Sequence, residues 1–322
     1  MNLSQEEKAM SKGELGEAAK WAINHQIEVG NFFDAEDFVS VSNVHMMVDP
    51  ESIGVAGVKF FENLVKMNAK VRVPMITDPR GVDLDYYRPL GQTEEMADIE
   101  RRTIKACSSM GILMTNTCVN YQTIMAPLYG EHLAYGDTGV VIYSNSVFGA
   151  RSNFEGGPSA LAAGLTGRTP RYGLHLDEKR KPTKIFTIKY EPNELTDWGL
   201  IGALIGKMCG SYWEVPIIEG IKKIPTSDEI KHFGAAMASY GSTPLFHIKG
   251  ITPEADNFNS DDLKDLNYYE IKSTDINSLK ADFGKKGDKI DVVVFAAPQL
   301  SIFEMQKVAE LCLDKIFKVP VL

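Results

Sequence analysis

The sequence predicts an α/β fold, with parallel or mixed sheets and covering helices in two or more lobes. Short apolar, β-branched runs alternate with longer segments of helical periodicity, which is typical of a parallel sheet with helices on its faces. The 322 residues suffice for two or three domains, and 44% hydrophobic with 24% charged residues is the composition of a soluble globular protein. We place the first lobe at residues 1–190 and the second at 191–322.

Helix and strand signals follow one another along the chain. Two helices that break near Gly13 open it, because Ser4 and the acidic residues after it form a helix start and apolar spacing continues to Val29. Beyond them we predict helices at 53–68 and 94–110, and strands at 38–42, 70–76, 112–115, 140–143, 184–190, 243–249 and 291–296. A helical run at 302–317 precedes the final VPVL, where a βαβ pattern enters another strand, so we expect the second lobe to be incomplete at its C-terminus.

The segment from Gly130 to Glu178 predicts a ligand site, since polar and small residues follow the predicted strand at 140–143. Gly156 and Gly157 precede Pro158 at a predicted helix start and leave backbone N–H groups for an anion, with Arg151 and Arg168 as its clamp. The alternative is a plain turn with surface arginines. The predicted ligand-binding residues are Asn145, Arg151, Ser152, Asn153, Gly156, Gly157, Ser159, Arg168 and His175.

Candidate catalytic groups are few. His45 and His132 lie beside predicted loops, and each is either a general base or a hydrogen-bonded structural residue. Glu155 in the glycine-rich loop is the third candidate. Cys118 follows a predicted strand among polar neighbours and is a nucleophile, an iron–sulfur ligand or an inert thiol. The other cysteines lie in helical apolar contexts, where we expect core positions.

Composition and spacing exclude several classes. The net charge of −9 argues against nucleic acid, and no apolar stretch is long enough to cross a membrane. Distant cysteines without a secretory signal predict a cytoplasmic protein. The glycines at 199–210 have the wrong spacing for a phosphate loop and predict a close-packed helix instead. The chain carries none of the zinc-protease, hydrolase-elbow or dinucleotide-turn motifs.

Several segments resemble the large subunit of the aconitase X family. They include AKVRVPMITDPRGVDL, Cys118 followed by NYQ, the whole segment 130–178, GAAMASYGSTPLFHIKGITPEA and FAAPQLSIFEM. The resemblance implies aconitase-like lobes around a cleft and a hydro-lyase that dehydrates a small hydroxylated acid. It also implies a 4Fe-4S or 2Fe-2S cluster with Cys118 as a metal ligand, and a separate small swivelling-domain subunit as partner. TCVNYQ and DWG favour cis-3-hydroxy-L-proline over mevalonate 5-phosphate as the substrate.

Two positions depart from the family pattern. Where the family reads LGCPH this chain reads FAAPQ, so Ala297 replaces a cluster cysteine and Gln299 replaces a histidine. One cysteine does not hold a conventional cluster, so the resemblance predicts a weakened or absent one. Another ligand set, a fragment, or loss of the cluster would each account for the departure. The alternative function is a non-catalytic relative that binds only a ligand or partner subunit.

Overall fold

The computed structural model describes residues 1–283, 287 and 289–322, which contain twelve α-helices and nine strands. The helices are α1 (Gln5–Lys12), α2 (Glu17–Phe32), α3 (Pro50–Lys66), α4 (Glu94–Met110), α5 (Asn120–Thr123), α6 (Thr138–Val147), α7 (Gly157–Thr166), α8 (Leu195–Cys209), α9 (Ser227–Gly241), α10 (Ser260–Leu263), α11 (Ser273–Ala281) and α12 (Ile302–Cys312). The strands are β1 (Phe38–Ser40), β2 (Val44–Met46), β3 (Met75–Thr77), β4 (Ala134–Tyr135), β5 (Arg168–Pro170), β6 (Lys184–Ile188), β7 (Pro216–Glu219), β8 (His247–Ile248) and β9 (Asn267–Ile271).

These elements form two compact units. The first contains residues 1–118, 129–137 and 150–179, and the second contains 119–128, 138–149 and 180–322. The chain therefore leaves the first unit and returns to it twice, so a single cut in the sequence does not describe the units. The lobe boundary at residue 190 stays a prediction.

The first unit is built around a parallel sheet in the order β3-β2-β4. Its apolar core joins the strands to α2, α3, α4 and α7, which together bury a contiguous cluster of side chains. The predicted helix at 94–110 is confirmed as α4, which Thr93 caps at the start and left-handed Gly111 ends. The break near Gly13 is also confirmed, because Ser4 and Glu7 form a capping box for α1 and Gly13 ends it at φ 85°.

The second unit is built around a four-stranded parallel sheet in the order β8-β7-β6-β9. Its helices α8 and α9 approach each other at glycines. A Cβ atom at Gly202 or Gly206 would overlap the carbonyl oxygen of Phe233 or come within 2.5 Å of that of Met237. The prediction of a close-packed helix at 199–210 is therefore confirmed. No helix in the described ranges is long and apolar enough to cross a membrane.

Some predicted strands are wrong. Residues 140–143 lie in α6, whose residues from Val140 to Ser146 are all buried, and a helix that is buried all round has no period to separate it from a buried strand. The predicted strand at 112–115 contributes only an isolated bridge from Leu113 to Ile76, and that at 291–296 only one from Val293 to Val321. The helical run predicted to Phe317 ends at Cys312.

Candidate functional site

Three strands of the first unit end together at one edge of its sheet. Because β3, β2 and β4 are parallel, their carboxyl ends lie side by side, and this edge of a parallel sheet is where α/β proteins bind ligands. Asp78 follows β3, Met47 follows β2, and Gly136 with Asp137 follow β4. The loop that carries Glu155 joins the same edge, since the Glu155 N–H donates to the Tyr135 carbonyl at 2.9 Å.

Asp78 is a buried carboxyl group that sequence reasoning missed. Its side chain accepts a hydrogen bond from the Val48 N–H at 2.9 Å, and the residue is 6% exposed. Burial raises the pKa of Asp78 to about 7; the charges of Asp49 and Asp137 also raise it, and the Val48 bond opposes the shift. The group therefore exchanges a proton near neutral pH. The sequence did offer a signal for Asp78, because ITDP places an aspartate directly after a strand.

His45 lies on β2 and is completely buried. Its Nε2 atom is 2.9 Å from the Thr117 carbonyl oxygen, and since a carbonyl only accepts, Nε2 carries the proton. Nδ1 is then the acceptor, and no hydrogen-bond partner for it occurs among the described residues. Burial lowers the pKa of His45, although the Thr117 bond and the Asp137 charge oppose this. The imidazole is therefore neutral at pH 7.

Glu155 is a second buried carboxyl group at this edge of the sheet. It is 2% exposed and accepts a hydrogen bond from Thr169 Oγ1 at 2.7 Å. Burial raises its pKa, and the Thr169 bond only partly opposes this. The loop approaches β4 so closely that a Cβ atom at Gly136 would lie 2.9 Å from the Glu155 carbonyl oxygen. Only glycine fits there, so the position of Glu155 depends on Gly136.

The start of α7 offers backbone donors. Gly156 caps the helix without a side-chain hydrogen bond, and Pro158 occupies its first turn. A Cβ atom at Gly156 would meet no described atom within 4 Å, so space is open in front of these N–H groups. Ser159 Oγ lies 3.1 Å from His25 Nε2. An anion in the open space would receive the N–H groups and the positive end of the helix dipole.

The two predicted clamp arginines are bonded elsewhere. Arg168 follows α7 and donates to Glu7 and Glu6 at 2.7 and 2.8 Å, while α7, at ten residues, is about 15 Å long. Arg151 pairs with Asp177 and donates to the His175 carbonyl at 3.2 Å. The structure therefore does not bring the two guanidinium groups together at the start of α7.

Ser152 and Asn153 bond to backbone atoms and support the loop. Ser152 Oγ receives the Tyr135 N–H at 3.0 Å, and the Asn153 amide bridges the Tyr172 carbonyl and the Leu174 N–H. Both side chains are buried. Their bonds fix the loop against β4 and the following chain.

His132 and His175 form a pair of their own. Their Nδ1 atoms are 2.9 Å apart and the rings stack at 5.1 Å. One ring nitrogen donates and the other accepts, which requires at least one neutral imidazole. The structure thus joins two predicted site residues, with Arg151 bonded to the backbone of one of them.

Asn145 lies in the second unit, on α6. Its side-chain amide donates to the Pro244 carbonyl at 2.9 Å. The backbone carbonyl of Asn145 accepts a hydrogen bond from Arg180 at 3.1 Å. Arg180 is buried and binds Glu254 through two guanidinium nitrogens. Glu254 thus belongs to a buried ion pair.

The cysteines do not fit a conventional cluster. Cys118 is partly buried, and its role as a metal ligand stays a prediction. Burial raises the pKa of Cys107 to about 12 and that of Cys209 to about 11, so neither is a ready thiolate. Within the described ranges, no three histidine, cysteine, aspartate or glutamate side chains are grouped to hold a metal ion. These cysteines therefore do not supply the thiolates that an iron–sulfur cluster requires.

A polar cluster at the start of α9 was not predicted. Ser227 Oγ bonds both Gln122 and the Tyr143 hydroxyl, at 2.8 and 2.9 Å, and Asp228 accepts from Ser301 Oγ at 2.8 Å. The ammonium group of Lys231, wholly buried, pairs with Glu304 and donates to the Gln299 carbonyl at 2.9 Å. These bonds hold the chain after Ala297 against α9. The capping boxes at the starts of α9 and α12 were the sequence signal that could have revealed this cluster.

Comparison with known proteins places this architecture in a family. Residues 1–178 match the family described as Aconitase X first domain, and residues 182–281 match Aconitase X second domain. Phosphomevalonate dehydratase large subunits are similar: that of Methanothermobacter thermautotrophicus is 34% identical over 95% of this chain and 76% of its own, and that of Thermococcus kodakarensis is 33% identical over 97% and 77%.

More distant and structural relatives agree. A cis-3-hydroxy-L-proline dehydratase of Hypocrea jecorina is 28% identical over 97% of this chain, which spans about half (53%) of that relative's length. The crystal structure of Thermococcus kodakaraensis aconitase X in its holo-form is similar with a TM-score of 0.90 and 31% identity, over 100% of this chain and 80% of that one. The chain therefore belongs to the aconitase X family.

Proposed function

We propose that the chain is the large subunit of a hydro-lyase that dehydrates a small hydroxylated acid. The observation that carries the proposal is Asp78, a buried carboxyl whose pKa lies near 7 at the ligand-binding edge of a parallel sheet. Dehydration requires a proton for the departing hydroxyl, and a group that is half protonated near the working pH supplies it efficiently. The names of the relatives, which are dehydratases, support the same reaction class.

Each residue of the sheet edge has a role in this proposal. Asp78 protonates the departing hydroxyl as the C–O bond breaks, and Nδ1 of neutral His45 takes the proton of the adjacent carbon as the C=C bond forms. The N–H groups at the start of α7 bind the acid group of the substrate. Neutral His45 also fixes the chain before Cys118 through the bond from Nε2 to the Thr117 carbonyl, which leaves Nδ1 without a partner among the described residues. Glu155, whose pKa is raised by burial, holds the loop through Thr169. No step passes through a cluster, because the cysteines do not supply its ligands.

The substrate follows from the acid group and the relatives. The Methanothermobacter and Thermococcus phosphomevalonate dehydratase subunits are 34% and 33% identical over about three quarters of their length, and one from Aeropyrum pernix is 28% identical over 76% of its own. The cis-3-hydroxy-L-proline dehydratase is 28% identical over about half (53%) of its length. This ordering makes a phosphorylated hydroxy acid the first substrate to test, ahead of the hydroxyproline that TCVNYQ and DWG favour. We also propose a small-subunit partner, since the relatives are named large subunits.

The test is turnover by the chain together with a family small subunit, with 5-phosphomevalonate and cis-3-hydroxy-L-proline as substrates. Asp78→Asn should lower kcat by about 10²- to 10⁴-fold, the usual contribution of a general acid, with KM little changed. Asp261→Asn, whose side chain is 91% exposed, is the matched control and should keep full activity. Full turnover by Asp78→Asn would refute the assignment.

A second function is favoured by one specific observation, the cysteine set with Ala297. In that case the chain is a non-catalytic relative that binds a ligand or partner subunit. Anaerobic purification with iron and sulfide analysis separates the two functions, together with the turnover assay. A folded protein that holds no iron, binds the substrate and turns over neither acid with its small subunit would support the non-catalytic function.

A further inference from the structure

Arg80, two residues after Asp78, differs from every other arginine of the chain. The chain contains nine arginines, and eight of them form an ion pair with a carboxylate: Arg72, Arg88, Arg101, Arg102, Arg151, Arg168, Arg171 and Arg180. Arg80 is exposed and forms no ion pair or hydrogen bond with the described residues. Because a guanidinium group binds two oxygens of a carboxylate or phosphate at once, this one is available to a ligand.

The loop that carries Arg80 is held in place on both sides of it. Before Arg80, the Asp78 side chain receives the Val48 N–H at 2.9 Å. After it, the Gln92 side-chain amide donates to the Gly81 carbonyl at 2.7 Å. A Cβ atom at Gly81 would lie 2.8 Å from Cδ of the proline that begins α3, so the loop backbone packs directly on that helix start. The backbone at Arg80 is therefore fixed beside Asp78.

Glu100 lies near Arg80 but does not pair with it. The residue is 1% exposed, and its Oε2 atom has no hydrogen-bond partner among the described residues. Burial raises the pKa of Glu100, while the Val82 N–H, the charge of Arg80 and the Gly81 N–H oppose this. Arg80 thus acts on Glu100 across a gap, without the direct bond that the other arginines make, so its N–H donors stay open.

Contacts along the sheet edge place Asp78 between two groups that can bind anions. A Cβ atom at Gly157, in the first turn of α7, would lie 3.7 Å from the Met47 carbonyl oxygen. Val48, the next residue, donates to Asp78, and Arg80 follows in the same loop. The start of α7 is therefore one position for an acid group and Arg80 is a second, with the reacting carboxyl group between them in this order of contacts.

We propose that Arg80 determines specificity by binding a second acid group, a phosphate monoester, of a substrate whose carboxylate lies at the start of α7. A phosphate monoester carries a charge of about −1.5 to −2 at pH 7 and has oxygens for the two-point contact of a guanidinium group. A hydroxy acid with a carboxylate at one end and a phosphate at the other has its hydroxyl between the two, where Asp78 protonates it. cis-3-Hydroxy-L-proline has no second acid group for Arg80. This inference rests on the proposed function and names its substrate class.

The first test measures binding to the chain alone, without turnover. Calorimetric titration with 5-phosphomevalonate and with mevalonate, which lacks the phosphate, isolates the phosphate contact. Arg80→Gln should raise the Kd for 5-phosphomevalonate about ten- to hundredfold, the usual effect of losing hydrogen bonds to a charged group, and leave that for mevalonate unchanged. Arg80→Lys keeps the charge, loses the two-point contact and should give a smaller rise. Arg88→Gln is the matched control, because Arg88 is 74% exposed and already paired with Glu94.

The second test is turnover together with the family small subunit. Arg80→Gln should raise the KM for 5-phosphomevalonate about tenfold or more and change kcat little, because a contact distant from the reacting bonds is made equally before and in the transition state. Arg88→Gln should leave both constants unchanged.

Two results would overturn the inference and leave the reaction standing. One is turnover by Arg80→Gln with an unchanged KM for 5-phosphomevalonate. The other is an equal loss of affinity for 5-phosphomevalonate and mevalonate in Arg80→Gln. A chain that binds the phosphate through Arg80 yet turns over neither acid with its small subunit would support phosphate binding and contradict the reaction, so the two failures are distinguishable. Because Arg80 is exposed, its substitution should not impair folding, and equal thermal melts of the variants check this.

Discussion

Buried carboxyl groups at the sheet edge of the first unit differ in their partners from those at the start of α9 in the second unit. In the first unit Asp78 and Glu155 are buried without a cation, and burial raises the pKa of both. In the second unit Glu304 is buried beside Lys231; burial acts to raise its pKa, but the bonds from Lys231 and Ser301 outweigh it and the pKa is lowered. Glu254 is likewise paired, with Arg180. All four carboxyl groups are thus buried, and they differ in whether a cationic side chain lies beside them.

This difference separates groups suited to chemistry from groups suited to structure. A carboxyl without a cation keeps a proton that it can exchange near neutral pH, and it destabilises the fold when it ionises. A carboxylate with a buried cation stays charged and holds two segments together. By this criterion the sheet edge of the first unit is the reactive region, and the start of α9 is a support.

The largest expected effect comes from removing the cation of the second unit. Lys231→Met leaves Glu304 buried without its partner and should lower the free energy of unfolding by about 3 to 5 kcal/mol. Because the folded pKa of Glu304 is lowered, the stability from the pair is present above the unfolded pKa of about 4.3 and is lost as pH falls through the folded value. Urea denaturation at pH 7 and pH 4 measures both.

The double variant Lys231→Met with Glu304→Leu is the control for this experiment. Since it removes both charges together, it should recover most of the lost stability. A loss of less than 1 kcal/mol in Lys231→Met alone, or no recovery in the double variant, would mean that the pair does not differ from a surface ion pair.

Asp78→Asn should have the next largest effect, and its sign depends on pH. The folded pKa of Asp78 is about 7, raised from 3.8, so the wild type loses stability as pH rises from about 4 to 7. At pH 8 the variant should be more stable by about 2 to 4 kcal/mol, and at pH 4 the two should be nearly equal. Chemical denaturation across this range checks it; a constant difference at all pH values would contradict the raised pKa.

Arg180→Lys keeps the charge beside Glu254 and loses the two-point contact. Because the pair is buried, we expect a loss of about 1 to 2 kcal/mol in the free energy of unfolding. Arg88→Lys is the matched control, since its guanidinium, paired with Glu94, is 74% exposed, and it should leave stability almost unchanged. Equal effects at both sites would remove the distinction between buried and exposed pairs.

Thr169→Val should have the smallest effect in this series. It removes the hydroxyl that donates to Glu155 while keeping the side-chain shape, at a cost of about 0.5 to 1.5 kcal/mol. Since that bond opposes the effect of burial, the pKa of Glu155 should rise further. Thermal melting measures the first effect and carboxyl titration by NMR the second. An unchanged Glu155 pKa would show that burial alone controls this group.

Local signals in the sequence predicted much of the fold. Helix α4 was located from the alternation of helical and β-like runs, and α8 from glycines that its neighbour requires. The strand predicted at 140–143 failed because a short apolar run has the same appearance in a strand and in a buried helix. Motifs across the whole length identified the family.

The site was harder to predict, because it depends on contacts that are distant in sequence. Arg168 was expected to bind a ligand, yet its partners Glu6 and Glu7 lie about 160 residues away in the chain. Asp78 acquires its raised pKa from burial and from the charges of Asp49, at the start of α3, and Asp137, which follows β4. No short stretch of sequence shows that these distant residues are in contact. The open start of α7, by contrast, follows from three adjacent residues and was found.

The close contact between α8 and α9 has a mechanical consequence. At Gly202 and Gly206 no side chain lies between α8 and α9 that could rotate or be compressed. A displacement of one helix is therefore passed directly to the other. At the start of α9, Asp228 accepts a hydrogen bond from Ser301, and Lys231 donates one to the Gln299 carbonyl. A displacement of the chain around Ser301 would therefore reach α8 through α9, because the backbones of the two helices contact each other directly.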